Sequence, residues 1–221
     1  MILQWLAHAC FFIQNEQGHV LVTDPYTESI GYPVPKEIKA DVVTISHEHT
    51  DHNNAAIVAG APLVIRTAGT QEAFEFRVTG LASDHDEQGG QMRGSNVIYV
   101  IETEGLRICH CGDLGRMLTE EEKAQIGHVD ILMVPIGGVY TIDAAGARQV
   151  VAALNPKVVI PMHYRTDIAG DELDGPEAFL EYMTQDEYAV SMHHAKTQEY
   201  TAADFPKRYK VLVMEPTCGK E

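Results

Sequence analysis

Residues 46–52 read Ser-His-Glu-His-Thr-Asp-His, and this stretch decides both the fold and the chemistry expected of the chain. It follows the continuous apolar run 41–46, which is typical of a strand buried in a sheet. Side chains alternate along extended backbone, so His47 and His49 point the same way and can share a metal ion. Asp51 and His52 come where the chain turns, within reach of a second metal. Imidazole with carboxylate is the ligand set that zinc prefers, which favours a metal site over a solvated polar loop.

Three later clusters of acids and histidines have a similar place, after apolar or β-rich segments. They are Ser83-Asp84-His85-Asp86, Cys111-Gly112-Asp113-Leu114-Gly115 and Pro161-Met162-His163-Tyr164. Loops at strand ends are where functional side chains converge, so we expect the clusters to meet the first stretch. Taken alone, His85 also fits a polar surface loop, Asp113 an ordinary turn and His163 a core histidine.

The remaining pattern is short strands first, then alternating strands and helices. Strands are predicted at 2–6, 10–14, 20–23, 41–46, 62–65, 97–102, 106–111, 130–135, 157–162 and 210–214, and helices at 53–60, 119–126, 143–154 and 176–183. Thr119 and Glu122 have the spacing of a capping box. The pattern predicts an α/β fold in four layers, two face-to-face sheets with helices outside, as a single domain of residues 1–221.

Composition restricts the partners. The chain has 221 residues with 32 Asp plus Glu against 16 Lys plus Arg, a net charge of -16, which repels polyanions and anionic membranes. No apolar run approaches the roughly 18 residues of a membrane span, and the N-terminus does not read as a signal peptide. The four cysteines form no disulfide framework. We expect a cytoplasmic protein with a small-molecule substrate and without nucleic-acid or membrane partners; the oligomeric state is left open.

The motif HxHxDH, with the three later clusters in order, resembles the metallo-β-lactamase superfamily of hydrolases. Within it, Trp5-Leu6-Ala7-His8-Ala9-Cys10, Thr23-Asp24-Pro25 and Arg93-Gly94-Ser95-Asn96 resemble the subgroup that includes ascorbate-phosphate lactonases and many uncharacterised hydrolases. The resemblance covers residues 1 to about 165. It implies an αββα sandwich, in agreement with the four layers predicted above.

The resemblance also implies a centre of two divalent metals, zinc in the first place, with manganese, iron or nickel left open. It assigns His47, His49 and His85 to the first metal, Asp51, His52 and His163 to the second, and Asp113 to both. It implies a hydroxide between the metals as the nucleophile, because zinc lowers the pKa of bound water from about 16 to about 7. Asp51 would also hold the proton of that nucleophile.

Other polar residues carry weaker signals. His8 is expected either to contact the substrate or to support the site, and Asp24 to orient a ligand histidine as a hydrogen-bond acceptor. The candidates for substrate binding are Arg93, Tyr140, Thr141 and Tyr164. We predict that His110, Cys109 and Cys111 are buried core residues and that the pair His193-His194 lies on the surface.

These observations predict a metal-dependent hydrolase that acts on a lactone, a carboxylic ester, an amide or a phosphoester. One alternative is a phosphodiesterase or nuclease of the same superfamily, against which the missing basic patch counts. The other is a metal-binding protein without catalysis, against which the complete ligand set counts.

Overall fold

The computed structural model describes residues 1–35, 37–192 and 196–218. Its strands are β1 Ile2–Ala7, β2 Cys10–Gln14, β3 Val20–Thr23, β4 Ile38–Lys39, β5 Val42–Thr44, β6 Val58–Ala59, β7 Leu63–Ile65, β8 Gly69–Ala73, β9 Phe76–Asp84, β10 Ser95–Thr103, β11 Leu106–His110, β12 Ile131–Pro135, β13 Val158–Met162, β14 Ala189–Met192, β15 Thr197–Glu199 and β16 Lys210–Val213. They form a six-stranded sheet in the order β15-β1-β2-β3-β5-β7 and an eight-stranded sheet in the order β14-β16-β13-β12-β11-β10-β9-β8, and β4 pairs with β6.

Strand direction brings the four sequence clusters to one region. β3 and β5 are parallel, and β1 runs the same way because two antiparallel pairings separate it from β3. In the other sheet β11, β12 and β13 are parallel, and β9 runs with them for the same reason. The segments that follow these strands therefore leave each sheet at one edge, which is where α/β sheets commonly place their sites.

The main core lies between the two sheets. Side chains such as Leu3 and Phe11 from one sheet and Ile98 and Leu132 from the other are fully buried in one hydrophobic cluster. The hydroxyl of Tyr99, on β10, donates to the carbonyl oxygens of Ile45 and Ile65 at 2.8 and 3.0 Å. That pair of hydrogen bonds connects the two sheets directly beside residues 46–52.

Helices cover the eight-stranded sheet. They are α1 Glu120–Ile126, α2 Ala144–Leu154 and α3 Glu177–Gln185, and α2 packs against both α3 and β12. The capping box predicted at the start of α1 is confirmed, with Thr119 and Glu122 each accepting from the other's backbone N–H. Asp143 caps α2 through the N–H of Gly146 at 2.8 Å. These caps satisfy N–H groups that helix starts otherwise leave without partners.

The predicted α/β fold with two face-to-face sheets is confirmed, but the predicted helix at 53–60 is wrong. The chain forms a short 3-10 turn at Ala55–Ile57 and then β6. A second hydrophobic cluster covers this side of the six-stranded sheet, with Tyr26, Tyr32 and Ile38 contributed by loops and short elements. Loops therefore cover the outer face of the six-stranded sheet, whereas helices cover the outer face of the eight-stranded sheet.

The structure also contains a β8–β9 hairpin that the sequence pattern did not predict. Its turn residues Phe74 and Glu75 have φ of 53° and 60°, although such turns are ordinarily marked by Asn or Gly. The predicted burial of His110, Cys109 and Cys111 is confirmed, whereas His193-His194 lies outside the described residues. No helix in the described parts of the chain has the length and apolar character needed to cross a membrane.

Candidate metal centre

The site is built from loops that leave the sheet edges. Residues 46–52 follow β5, and His85, Asp113 and His163 come shortly after β9, β11 and β13. The structure brings all seven predicted ligands together in one place. Residues 46–52 form bends and a turn rather than the extended segment assumed from the sequence, yet the rings of His47 and His49 still lie 4.6 Å apart, centre to centre.

Asp113 is at the centre of the site. Its Oδ2 lies 3.2 Å from Nε2 of both His85 and His163, and 3.3 and 3.8 Å from Nε2 of His52 and His47. The carboxylate is 2 % exposed. One oxygen surrounded by four imidazole nitrogens from three loops matches the bridging role expected of Asp113.

Potential ligand atoms fall into overlapping sets. His47, His49 and His85 form one set, which we call the first position; Asp51, His52 and His163, with His8, form another, which we call the second position. A third set joins His47 and His52 to Asp113. In each set the ligand atoms lie within 4.8 Å of one another, a separation that a single cation can bridge.

Unpaired polar atoms provide evidence, independent of the sequence motifs, that the residues of these sets fit metal ions. His47 Nε2, His52 Nε2 and Asp113 Oδ1 are buried without a hydrogen-bond partner. Buried polar atoms are nearly always paired, so three unpaired atoms on residues whose ligand atoms lie within 4.8 Å of one another indicate that these residues fit a cation. The donor set of imidazoles and carboxylates is one that divalent transition metals bind.

The pKa shifts of Asp113 and His52 also indicate that the site suits a cation. Burial opposes the negative charge of Asp113, but the charges of His163 and His52 outweigh it and hold the pKa of this carboxyl well below its usual range. Burial also opposes a charge on His52, yet Asp113 and other carboxylates raise its pKa well above the ordinary value. The carboxylates thus attract a positive charge to the place where a cation would bind.

The first position differs from the second in charge. Burial, reinforced by the neighbouring His52, lowers the pKa of His47 to about 3. The imidazole is therefore neutral at physiological pH, which is the form that binds metals. Its Nδ1 lies 3.0 Å from the hydroxyl of Ser46, and this contact sets the orientation of the ring.

Asp24 supports the second position through a contact with His52. Its fully buried carboxylate accepts from the Ser46 N–H at 2.7 Å and the Ser46 hydroxyl at 2.6 Å, and its Oδ2 lies 2.9 Å from His52 Nδ1. A proton on Nδ1 leaves Nε2 free as a ligand, which is how such carboxylates orient metal-binding histidines. Asp24 therefore occupies the place expected of it.

Asn96 was not among the predicted site residues. Its side-chain oxygen accepts from the Asp113 N–H at 3.0 Å, and its amide donates to the Cys111 carbonyl at 2.9 Å. Gly112 packs so closely that an added Cβ would lie 2.3 Å from the Asn96 oxygen. The only sequence signal was that Asn96 follows Arg93-Gly94 in one of the resembling motifs.

A cavity of about 500 Å³ opens over the first position, and Asp113, His163, Asp51, Arg93 and Tyr140 also line it. The Arg93 guanidinium lies over the Tyr140 ring, 5.5 Å from its centre. The loop that carries Arg93 is held by Asp86, whose carboxylate accepts from the backbone N–H groups of residues 88, 90, 92 and 93 at 2.8–3.1 Å. Arg93 is thus presented by a preorganised loop.

Tyr164 and Thr141, the other candidates for substrate binding, do not line the cavity over the first position. Tyr164 is buried, stacks on Trp5 at 5.6 Å, and lines a smaller recess of about 160 Å³ beside His8 and His163. Thr141 is not brought into the metal cavity; it lines a neighbouring cavity of about 660 Å³ and donates to the Ile142 carbonyl. The two larger cavities share Met92, Arg93 and Tyr140 as a common wall.

Comparison with known proteins agrees with this geometry. Residues 2–163 match the model of the beta-lactamase superfamily domain. A UPF0173 metal-dependent hydrolase of Thermoplasma acidophilum is 32% identical over 186 residues, which is 73% of this chain and 82% of the relative. One from Archaeoglobus fulgidus is 30% identical over 196 residues, 75% of this chain and 84% of the relative. A Thermotoga maritima structure assigned to the Zn-dependent hydrolases of the metallo-β-lactamase superfamily has a TM-score of 0.77 at 36% identity, covering 96% of this chain and 97% of its own.

Proposed function

The chain belongs to the metallo-β-lactamase superfamily, and on that premise we propose that it is a hydrolase that uses two divalent metals, in the first place zinc, to cleave a small electrophilic substrate. The substrate class is a lactone, a carboxylic ester, an amide or a phosphoester. His47, His49 and His85 would hold one metal, Asp51, His52 and His163 the other, and Asp113 both. The observation that carries the proposal is the set of orphaned buried atoms around Asp113.

When bound, such metals act as Lewis acids and lower the pKa of water to about 7, which supplies a nucleophile at neutral pH. The chain's own residues do the rest. Burial raises the pKa of Asp51, but the neighbouring imidazoles of His52 and His8 outweigh it and lower this pKa below its usual range. Asp51 is therefore an ionised acceptor beside the cavity, able to orient an attacking water by accepting a hydrogen bond from it.

Cavity size and charge support a small and anionic substrate. A volume of about 500 Å³ is within the range of small-molecule sites. Among the described residues the Arg93 guanidinium has no ion-pair partner, and it lies at the cavity wall with one face on Tyr140. An anionic substituent would find its partner there, and the net charge of -16 disfavours polyanionic polymers.

The proposal is tested by assaying purified protein against chromogenic esters, lactones, amides and phosphodiesters, with added zinc or manganese and with a chelator. We expect metal-dependent turnover of at least one class, lost in His163→Ala and retained in His128→Ala, because His128 is an exposed histidine paired with Asp130. Arg93→Gln should raise KM for substrates that carry a carboxylate or phosphate and leave neutral substrates unaffected. Turnover that persists without metal would contradict the proposal.

A further inference from the structure

His8 has no place in the ligand set that the four motifs supply, yet it points into the second position. It follows β1, lies in the same set as Asp51, His52 and His163, and is 7 % exposed. We propose that Nε2 of His8 is a further ligand of the second metal, beside those three residues and Asp113. The inference rests on the two-metal centre proposed above.

The separations of the ligand atoms support this assignment. Two atoms about 2.1 Å from one cation lie about 3.0 Å apart at a right angle and about 3.4 Å apart at a tetrahedral angle. His8 Nε2 lies 3.2 Å from Asp51 Oδ2, which in turn lies 3.5 Å from His52 Nε2. Asp113 Oδ2 lies 3.3 Å from His52 and 3.2 Å from His163. The distance between His8 Nε2 and Asp51 Oδ2 is therefore the distance expected between two ligand atoms of one metal ion.

The oxygen that His8 approaches distinguishes a ligand from a supporting hydrogen bond. A histidine that only positions a metal-binding carboxylate is best placed on the oxygen facing away from the metal. His8 instead approaches Oδ2 of Asp51, the oxygen that also faces Nε2 of His52. A donor on that oxygen would compete with the cation for its lone pairs, whereas a neighbouring ligand would be expected there.

The backbone holds His8 in this place at a cost. Its φ is 56°, an uncommon conformation for a residue with a side chain. Its carbonyl accepts from the Trp5 indole at 2.9 Å and from the His163 N–H at 3.3 Å, and its ring lies 4.1 Å from that of His163. These contacts fix the imidazole against the second position before any metal arrives.

A fifth protein ligand changes which cations suit the second position. Structural zinc sites are nearly always four-coordinate, whereas manganese, iron and nickel accept more ligands. With His8 added to Asp51, His52, His163 and Asp113, the second position is expected to bind a cation of coordination number five or more. The first position has only four protein ligands, namely three histidines and the shared Asp113.

The test uses the full chain as wild type and as His8→Ala, His8→Gln and the control His128→Ala. Metal-free proteins are titrated with Co²⁺, whose visible spectrum intensifies as coordination number falls, and stepwise affinities are measured by chelator competition. We expect both His8 variants to keep the first Co²⁺ and to bind the second at least about 100-fold more weakly, beyond the loss typical of a supporting residue. The second Co²⁺ that they do bind should absorb more strongly than in wild type, and His128→Ala should match wild type.

Glutamine at position 8 separates a ligand from a positioning residue, because its amide N–H can still donate to Asp51 but is a poor ligand. If His8→Gln keeps wild-type affinity for the second Co²⁺, the inference is overturned, whatever His8→Ala does. If both variants bind two ions with unchanged spectra, it is likewise overturned while the two-metal centre stands. A wild-type protein that never binds more than one ion would overturn both proposals.

Discussion

Replacing Asp24 with asparagine is a sensitive test of how the second position is built. The side chain is fully buried, and its carboxylate contacts the backbone N–H and hydroxyl of Ser46 and Nδ1 of His52. Asparagine keeps one acceptor oxygen for the Ser46 N–H but places an amide NH₂ against His52. To accept from that amide, His52 must lose its proton from Nδ1 and carry it on Nε2, the atom that should bind the metal.

The magnitude follows from that change of tautomer. Removing a residue that orients a metal-binding histidine typically costs about 10–100-fold in metal affinity, or about 1.4–2.7 kcal/mol. We expect Asp24→Asn to reach the upper end, because the amide favours the wrong tautomer in addition to losing the charge. The first position should be nearly unaffected, since His47 contacts Ser46 rather than Asp24 directly.

Stepwise metal affinities from chelator competition measure this effect. The matched control is Asp41→Asn at the opposite end of β5, where the Asp41 carboxylate accepts from the Val20 N–H at 2.8 Å and pairs with His19. Circular dichroism of the metal-free variants shows whether both remain folded. If folded Asp24→Asn bound the second metal within about threefold of wild type, the proposed role of Asp24 would be refuted.

Three further predictions concern loop packing, acid stability and partners. An added Cβ at Gly115 would lie 2.1 Å from the carbonyl carbon of His85, so Gly115→Ala should abolish binding at the first position. At Gly127 nothing lies within 4 Å of an added Cβ, so Gly127→Ala should keep that binding, and its φ of 66° and ψ of −144° should cost about 1–3 kcal/mol in urea unfolding. Burial opposes the charge of Glu122, but hydrogen bonds led by those from Arg116 lower its pKa below 4.5, so its stabilisation is present above pH 4.5 and lost as the pH falls. The stability deficit of Glu122→Gln measured by urea unfolding should therefore shrink in acid; a constant deficit would contradict this. In titrations at physiological salt, single- and double-stranded DNA and RNA should not bind at micromolar concentration; binding with metal-dependent cleavage would favour the nuclease alternative.

The ligand motifs were predictable because each is short and follows a strand. Residues 46–52 supply four potential ligands, and Asp113 and His163 come after strands that the hydrophobic pattern predicted, whereas the strand before His85 was not predicted. Parallel strands then place the ends together without any information beyond the order of the elements. Asp24 was predictable for the same reason, as the first polar residue after β3.

Features that depend on packing between distant segments were not predictable. Nothing local indicates that His8 adopts a φ of 56° and reaches Asp51, 43 positions away, because that conformation is imposed by contacts with Trp5 and His163. The helix expected at 53–60 was replaced by a 3-10 turn and a short strand, in a region where loops supply the packing. Thr141 follows Tyr140 in sequence but its hydroxyl is used in its own turn, outside the metal cavity.

The most direct test of the central claim is the anomalous scattering of crystals grown with excess zinc or manganese. The account predicts two peaks per chain about 3.5 Å apart, one within bonding distance of His47, His49 and His85 and the other of Asp51, His52 and His163, with Asp113 between them. A single peak per chain at full loading, or peaks away from Asp113, would contradict it.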